Sequence, residues 1–354
     1  MAQISHQTQA PTTTLRGDPL AGEGHRGLLW FGLGLGVLAL LAGLTLGRAE
    51  LSARELLNAL WHGPWGSEPP CLIIWWLRLP QTLTALIAGA ALGASGAALQ
   101  SLFRNPLADP YLLGVSSGGG LGAALAFSSG VITSVGLWTL PMSSFVGALL
   151  SCALIYTWAW RSNGVSLEQL ILVGVALNLL LSALLTLTLS LSEAQLGGVW
   201  RWLLGRVDGL SWVELAWLAS ASALGTLTLV KQRASLWLFE AGEEVAWSLG
   251  VEVERVKRQT LWATALTVGG VVAFCGVIGF VGLMAPHFVR PRIRGSSTLL
   301  IPYSALYGGV GLALCEAVGR LSPRPLPIGV ITGCLGGFTF LWVIHRQRST
   351  RDLI

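Results

Sequence analysis

Residues 82–102 decide the fold: Thr82-Leu83-Thr84-Ala85-Leu86-Ile87-Ala88-Gly89-Ala90-Ala91-Leu92-Gly93-Ala94-Ser95-Gly96-Ala97-Ala98-Leu99-Gln100-Ser101-Leu102. The stretch carries no charge and is as long as a helix must be to cross about 30 Å of hydrocarbon. Gly89, Gly93 and Ala97 recur at four-residue spacing, which puts them on one helix face. Lipid supplies no hydrophobic drive for helix association, so such small residues mark a face where two backbones approach closely. The same device returns around Gly174 and at Gly308 to Gly311.

Working outward, apolar stretches at 28–46, 112–128, 140–160, 170–191, 210–230, 299–318 and 328–344 each predict a further span. A signal peptide or single anchor accounts for only one of them. The composition agrees: of 354 residues, 53% are hydrophobic and only 11% charged, against roughly a quarter charged in soluble domains. No soluble core hides that much apolar surface.

The block at 261–289 has basic residues on both sides, with Lys231, Arg233, Arg255, Lys257 and Arg258 before it and Arg290, Arg292 and Arg294 after it. Basic loops face the cytoplasm, so the block must cross an even number of times, in too few residues for two full helices. One pass is expected to be short or broken, as Gly269, Gly270, Gly276, Gly279 and Gly282 permit. Broken backbone survives at membrane depth only when it is buried in protein or lines a cavity. Counted twice, the block brings the total to about ten transmembrane helices in an all-α polytopic membrane protein. Both termini are then cytoplasmic, with Arg104 and Arg161 inside and Arg48 and Arg54 outside. Residues 1–27 read as a disordered cytoplasmic tail, 28–348 as the ten-helix domain with a cytoplasmic loop at 231–259, and 349–354 as a short cytoplasmic tail.

The net charge of +5 is topological, because the arginines lie between apolar runs and form no groove with interleaved aromatics; no nucleic acid partner is expected. The run Gly114-Val115-Ser116-Ser117-Gly118-Gly119-Gly120-Leu121-Gly122 is glycine-rich, but neither a preceding strand nor a following ribose-binding acid accompanies it. No Walker A pattern occurs. The five histidines, His6, His25, His62, His287 and His345, form no ligand pair, and the five cysteines suggest neither a disulfide framework nor a metal site. No cofactor or metal is expected. Glu316 stands inside the ninth span, with Arg320 one turn on as its natural partner. Buried acids drive proton-coupled carriers, and their scarcity here argues against an ion-coupled secondary transporter. A membrane enzyme lacks any nucleophile, base or metal constellation.

Four segments together resemble the FecCD family of ABC importer permeases, which carry ferric siderophores, haem and vitamin B12 inward. They are Arg78-Leu79-Pro80, the long run from Leu102 through Asn105-Pro106-Leu107 and Asp109-Pro110-Tyr111 to Gly118, then Gly279-Phe280-Val281-Gly282-Leu283-Met284-Ala285-Pro286-His287, and Leu326-Pro327-Ile328-Gly329-Val330-Ile331-Thr332. The resemblance implies the type II ABC importer permease fold in the inner membrane. It also implies a homodimer around a central path, two cytoplasmic ATP-binding subunits, a periplasmic substrate-binding protein, and no catalysis by this chain. Coupling to the ATPase falls to Glu243, Val245, Ala246, Leu249 and Gly250. Docking of the binding protein falls to Arg78 and Arg320, with Gln81 standing where the family often has a second arginine. The cytoplasmic gate falls to Asn105, Leu107, Leu167 and Glu168, although a small polar residue is common where Glu168 stands. In the last span Gly336-Gly337-Phe338-Thr339 lacks the family's proline, which puts its usual kink in question.

Overall fold

The computed structural model describes residues 19–131, 136, 138–161, 164–191, 196–293, 297–322 and 326–351. The ends of both expected tails, 1–18 and 352–354, lie outside the described residues.

Ten helices account for the predicted spans: α1 Pro19–Thr45, α3 Pro69–Phe103, α4 Val115–Ser128, α5 Thr139–Ala159, α6 Leu167–Ser190, α8 Trp212–Lys231, α11 Val253–Cys275, α12 Val281–Val289, α13 Leu300–Gly319 and α14 Ile328–Arg351. The first begins at Pro19, within the stretch read as tail. Among the described residues, four short α-helices lie outside the spans: α2 Ala53–His62, α7 Leu196–Leu203, α9 Arg233–Glu240 and α10 Glu243–Ser248. A two-residue antiparallel hairpin, Trp160–Arg161 with Gly164–Val165, joins α5 to α6.

Helix α3 is the hub, buried along most of its length and packed against α13, α12, α8 and α11. Its glycines set the distances. A Cβ at Gly89 would strike the backbone of Gly308, one at Gly93 that of Ser304, and one at Gly96 that of Gly282. The same logic joins α4 to α5 through Gly118 and Gly147, so the glycine-rich run after Gly114 is a packing face. Near its start α3 passes through a π-helical segment, Ile73–Arg78. Pro80 follows at once; its ring would clash with the carbonyl four residues back, and the widened turn relieves this. The carbonyl of Trp75 accepts instead from the Trp212 indole at 3.0 Å.

The block at 261–289 is a full helix and a half-helix. Helix α11 starts at Val253 because its first turns, with Glu254, Arg255, Lys257 and Arg258, project beyond the apolar stretch. It ends at Cys275, and an irregular segment through Phe280, which holds a left-handed φ of 68°, leads into the nine-residue α12. The Tyr111 hydroxyl donates to the Ile278 carbonyl and accepts from the Ile278 N–H, both at 3.0 Å. The Arg206 N–H caps the Cys275 carbonyl at 2.7 Å. Broken backbone at membrane depth is thus satisfied by protein. Helix α14 runs unbroken through Gly336 and Gly337, as the missing proline allows. At Gly336 the absent Cβ makes room for the Phe280 side chain.

Candidate functional site

Two ends of the bundle hold the residues singled out in the sequence. At the first, α3 ends with Arg104 in the left-handed region at φ 51°. The Asn105 N–H donates to the Gln100 carbonyl at 3.1 Å and the Arg104 N–H to that of Ser101 at 3.3 Å, the double bond that closes many helices with glycine in this place. Asn105 then turns the chain by accepting the Leu107 N–H on its side-chain oxygen at 2.9 Å. Both Asn105 and Leu107 are exposed there. Ser166 caps α6, and the following Leu167 is half-buried while Glu168 is exposed in the first turn.

The expected coupling element is a separate short helix. Its apolar residues divide. Ala246 is buried and seats α10 on the rest of the protein, while Val245 and Leu249 are exposed. Trp247, 73% exposed, joins them and was not singled out in the sequence. The helix is closed by Gly250 at φ 85°, where the Gly250 N–H donates to the Trp247 carbonyl at 2.9 Å and the Val251 N–H to that of Ala246 at 3.0 Å. No atom crowds Gly250, so its requirement is conformational. A Gly250→Val substitution is expected to cost about 1–3 kcal/mol locally and fray α10. Hydrogen exchange at Leu249 to Val251 checks it, and unchanged protection would count against this geometry.

Acidic and basic side chains bind α10 and its neighbours into the bundle. Glu240 accepts from Arg290 at 3.0 Å and from Ser101 at 2.9 Å, joining the ends of α9, α12 and α3. Lys257 reaches Glu243 at 2.7 Å. Sequence reading found neither junction, because their members are far apart in the chain.

At the opposite end stand Arg78 and Arg320. Arg78 is 5% exposed and gives its donors to the carbonyls of Leu44 at 2.6 Å, Thr45 at 2.9 Å and Ala49 at 2.5 Å. Arg320 pairs with Glu316, donates to the Gly43 carbonyl at 2.6 Å and reaches the Thr82 hydroxyl at 3.1 Å. Together they satisfy carbonyls at the C-terminal end of α1, where cations also meet the negative end of the helix dipole. Both guanidinium groups face inward, and the expected Glu316–Arg320 pair is present.

Helical spans with glycine-mediated packing, a half-helix at membrane depth and a short helix hung outside the spans define a multi-pass membrane protein. The chain belongs to the FecCD transport family, which it matches over residues 35–346. It is 37% identical to the hemin transport system permease protein HmuU of Yersinia pestis, over 92% of this chain and 97% of the relative. It is also 37% identical to the vitamin B12 import system permease protein BtuC of Salmonella typhi, over 91% and 96% respectively. A solved structure described as a metal-chelate type ABC transporter in an inward-facing conformation superposes with a TM-score of 0.80 at 30% identity, covering 91% of this chain and 99% of that one.

Proposed function

We propose that this chain is the membrane permease subunit of an ABC importer that moves a large chelate, of the haem, iron-siderophore or cobalamin class, into the cytoplasm. The observation that carries the reading is α10: a capped helix with Val245, Trp247 and Leu249 exposed, on a family member whose sequence has no Walker A pattern. A groove on a separate ATP-binding subunit is the natural partner for such a face. The basic-loop pattern supports placing α10, Arg104 and both termini in the cytoplasm, in an inner membrane.

The rest of the assembly belongs to the same proposal. Two copies would enclose the path, a reading that rests on membership of the family. Asn105, Leu107, Leu167 and Glu168 would form the inner gate. A periplasmic binding protein would dock on the outer surface that Arg78 and Arg320 organise; direct pairing with its glutamates would require these arginines to exchange carbonyls for carboxylates. An ion-coupled carrier has less support, since Glu316 is held by Arg320. Proteoliposomes holding the permease with an ATP-binding subunit should take up haemin or cyanocobalamin when ATP is supplied on the subunit's side. Uptake driven by a proton or sodium gradient without that subunit would overturn the reading.

A further inference from the structure

Lys257 is the most deeply buried cation on the α10 side of the molecule among the described residues, at 3% exposure, and the function proposed above does not account for it. Its ammonium has three protons to donate, and the structure supplies three acceptors from three parts of the chain. They are the Glu243 carboxylate of α10 at 2.7 Å, the Glu254 carboxylate of α11 itself at 3.0 Å, and the Val165 carbonyl of the hairpin at 2.7 Å. Glu254 closes the circuit by accepting the Val165 N–H at 3.0 Å. Val165 stands immediately before Ser166, the cap of α6, and thus two and three residues before Leu167 and Glu168. Gly164 leaves the space that Glu254 occupies: a Cβ there would press on the carboxylate, and its φ of 106° disfavours any side chain.

We propose that Lys257 is the positioning residue that transmits displacement of α10 to the entry of α6. The inference rests on the permease reading and names the connection through which the ATP-binding subunit acts on the inner gate. The geometry favours transmission over simple bracing. A buried ammonium that loses one acceptor must find another, because an unpaired buried charge is costly. Movement of Glu243 with α10 therefore draws Lys257 along, and with it the hairpin that Lys257 and Glu254 hold at Val165. Glu240, joined to Ser101 and Arg290, fixes the end of α9 just before α10, so that α10 moves about that one point.

The test uses the full transporter in proteoliposomes, with haemin and cyanocobalamin as probes, and measures uptake and ATP hydrolysis together. Glu243→Ala removes the α10 arm while leaving Lys257 its other two partners, and Gly164→Ala displaces the hairpin arm; both leave Lys257 itself in place. Lys257→Met removes the junction. In each variant that assembles, uptake per ATP hydrolysed is expected to fall about tenfold, the scale of ordinary coupling between sites, while hydrolysis continues. The cysteine of Glu168→Cys should change its maleimide reactivity when nucleotide is trapped in the otherwise unaltered transporter, and lose that response when combined with Glu243→Ala. A purely structural role predicts instead lower yield and thermal stability, with uptake per ATP and the nucleotide response intact in whatever folds; that result overturns the inference. Absence of ATP-dependent uptake of haemin, cyanocobalamin and a ferric siderophore alike by the transporter without substitutions is a separate outcome, which overturns the permease reading itself.

Discussion

Gly96→Leu is expected to destabilise the protein by about 3 kcal/mol or more, enough to prevent recovery of folded material from the membrane. The reason is local. Gly96 faces the backbone of Gly282 at the start of α12, and a Cβ there would overlap the Gly282 carbonyl and Cα, neither of which is a flexible side-chain end. Helix α12 has only nine residues and contains Pro286, so it cannot yield by bending smoothly; it must separate from α3. A matched control exists in Gly311 of α13, where nothing lies within 4 Å of an added Cβ. Gly311→Leu should stay within about 0.5 kcal/mol of the unsubstituted protein. Thermal unfolding in detergent would compare the two. Equal losses would mean that glycine packing against α12 is not what sets the α3–α12 distance.

The second large effect belongs to Tyr111. Tyr111→Phe keeps the ring and removes only the oxygen that serves both the N–H and the carbonyl of Ile278. Each backbone group left unpaired and buried costs about 1–3 kcal/mol, so the loss should be about 2–6 kcal/mol. It should fall on the segment between α11 and α12, which is where hydrogen exchange ought to accelerate first. An unchanged melting temperature with unchanged exchange at Val277 to Gly279 would show that other groups satisfy this backbone.

These two sites illustrate what the sequence could disclose. Membrane crossing depends on composition over a long window, so the spans were legible, and basic residues on both sides of 261–289 were enough to predict its two passes, one of them short. Glycine spacing announced the crossing of α3 with α13 because backbone proximity tolerates little else. The partner of Tyr111 was not legible, since nothing near Tyr111 in the chain points to Ile278. Arg78 shows the same limit: the carbonyls of Leu44, Thr45 and Ala49 that it binds lie far from it in the chain, so nothing beside Arg78 in the sequence announces them. In α10 the apolar residues were found, but helical spacing alone did not separate Ala246, which is buried, from Val245 and Leu249, which are exposed. The Lys257 junction joins positions 165, 243 and 254, and no local pattern connects them.

If α10 is the surface on which a separate ATPase acts, the accessibility of Leu249 depends on that subunit. The cysteine of Leu249→Cys is introduced with Cys315 and Cys334, the native thiols that are not buried, replaced by serine. A membrane-impermeant maleimide should label it from the side opposite to a cysteine at Ser67, and an added ATP-binding subunit should protect it. Labelling from the same side as Ser67, or labelling indifferent to the subunit, would mean that α10 is not where the ATPase binds.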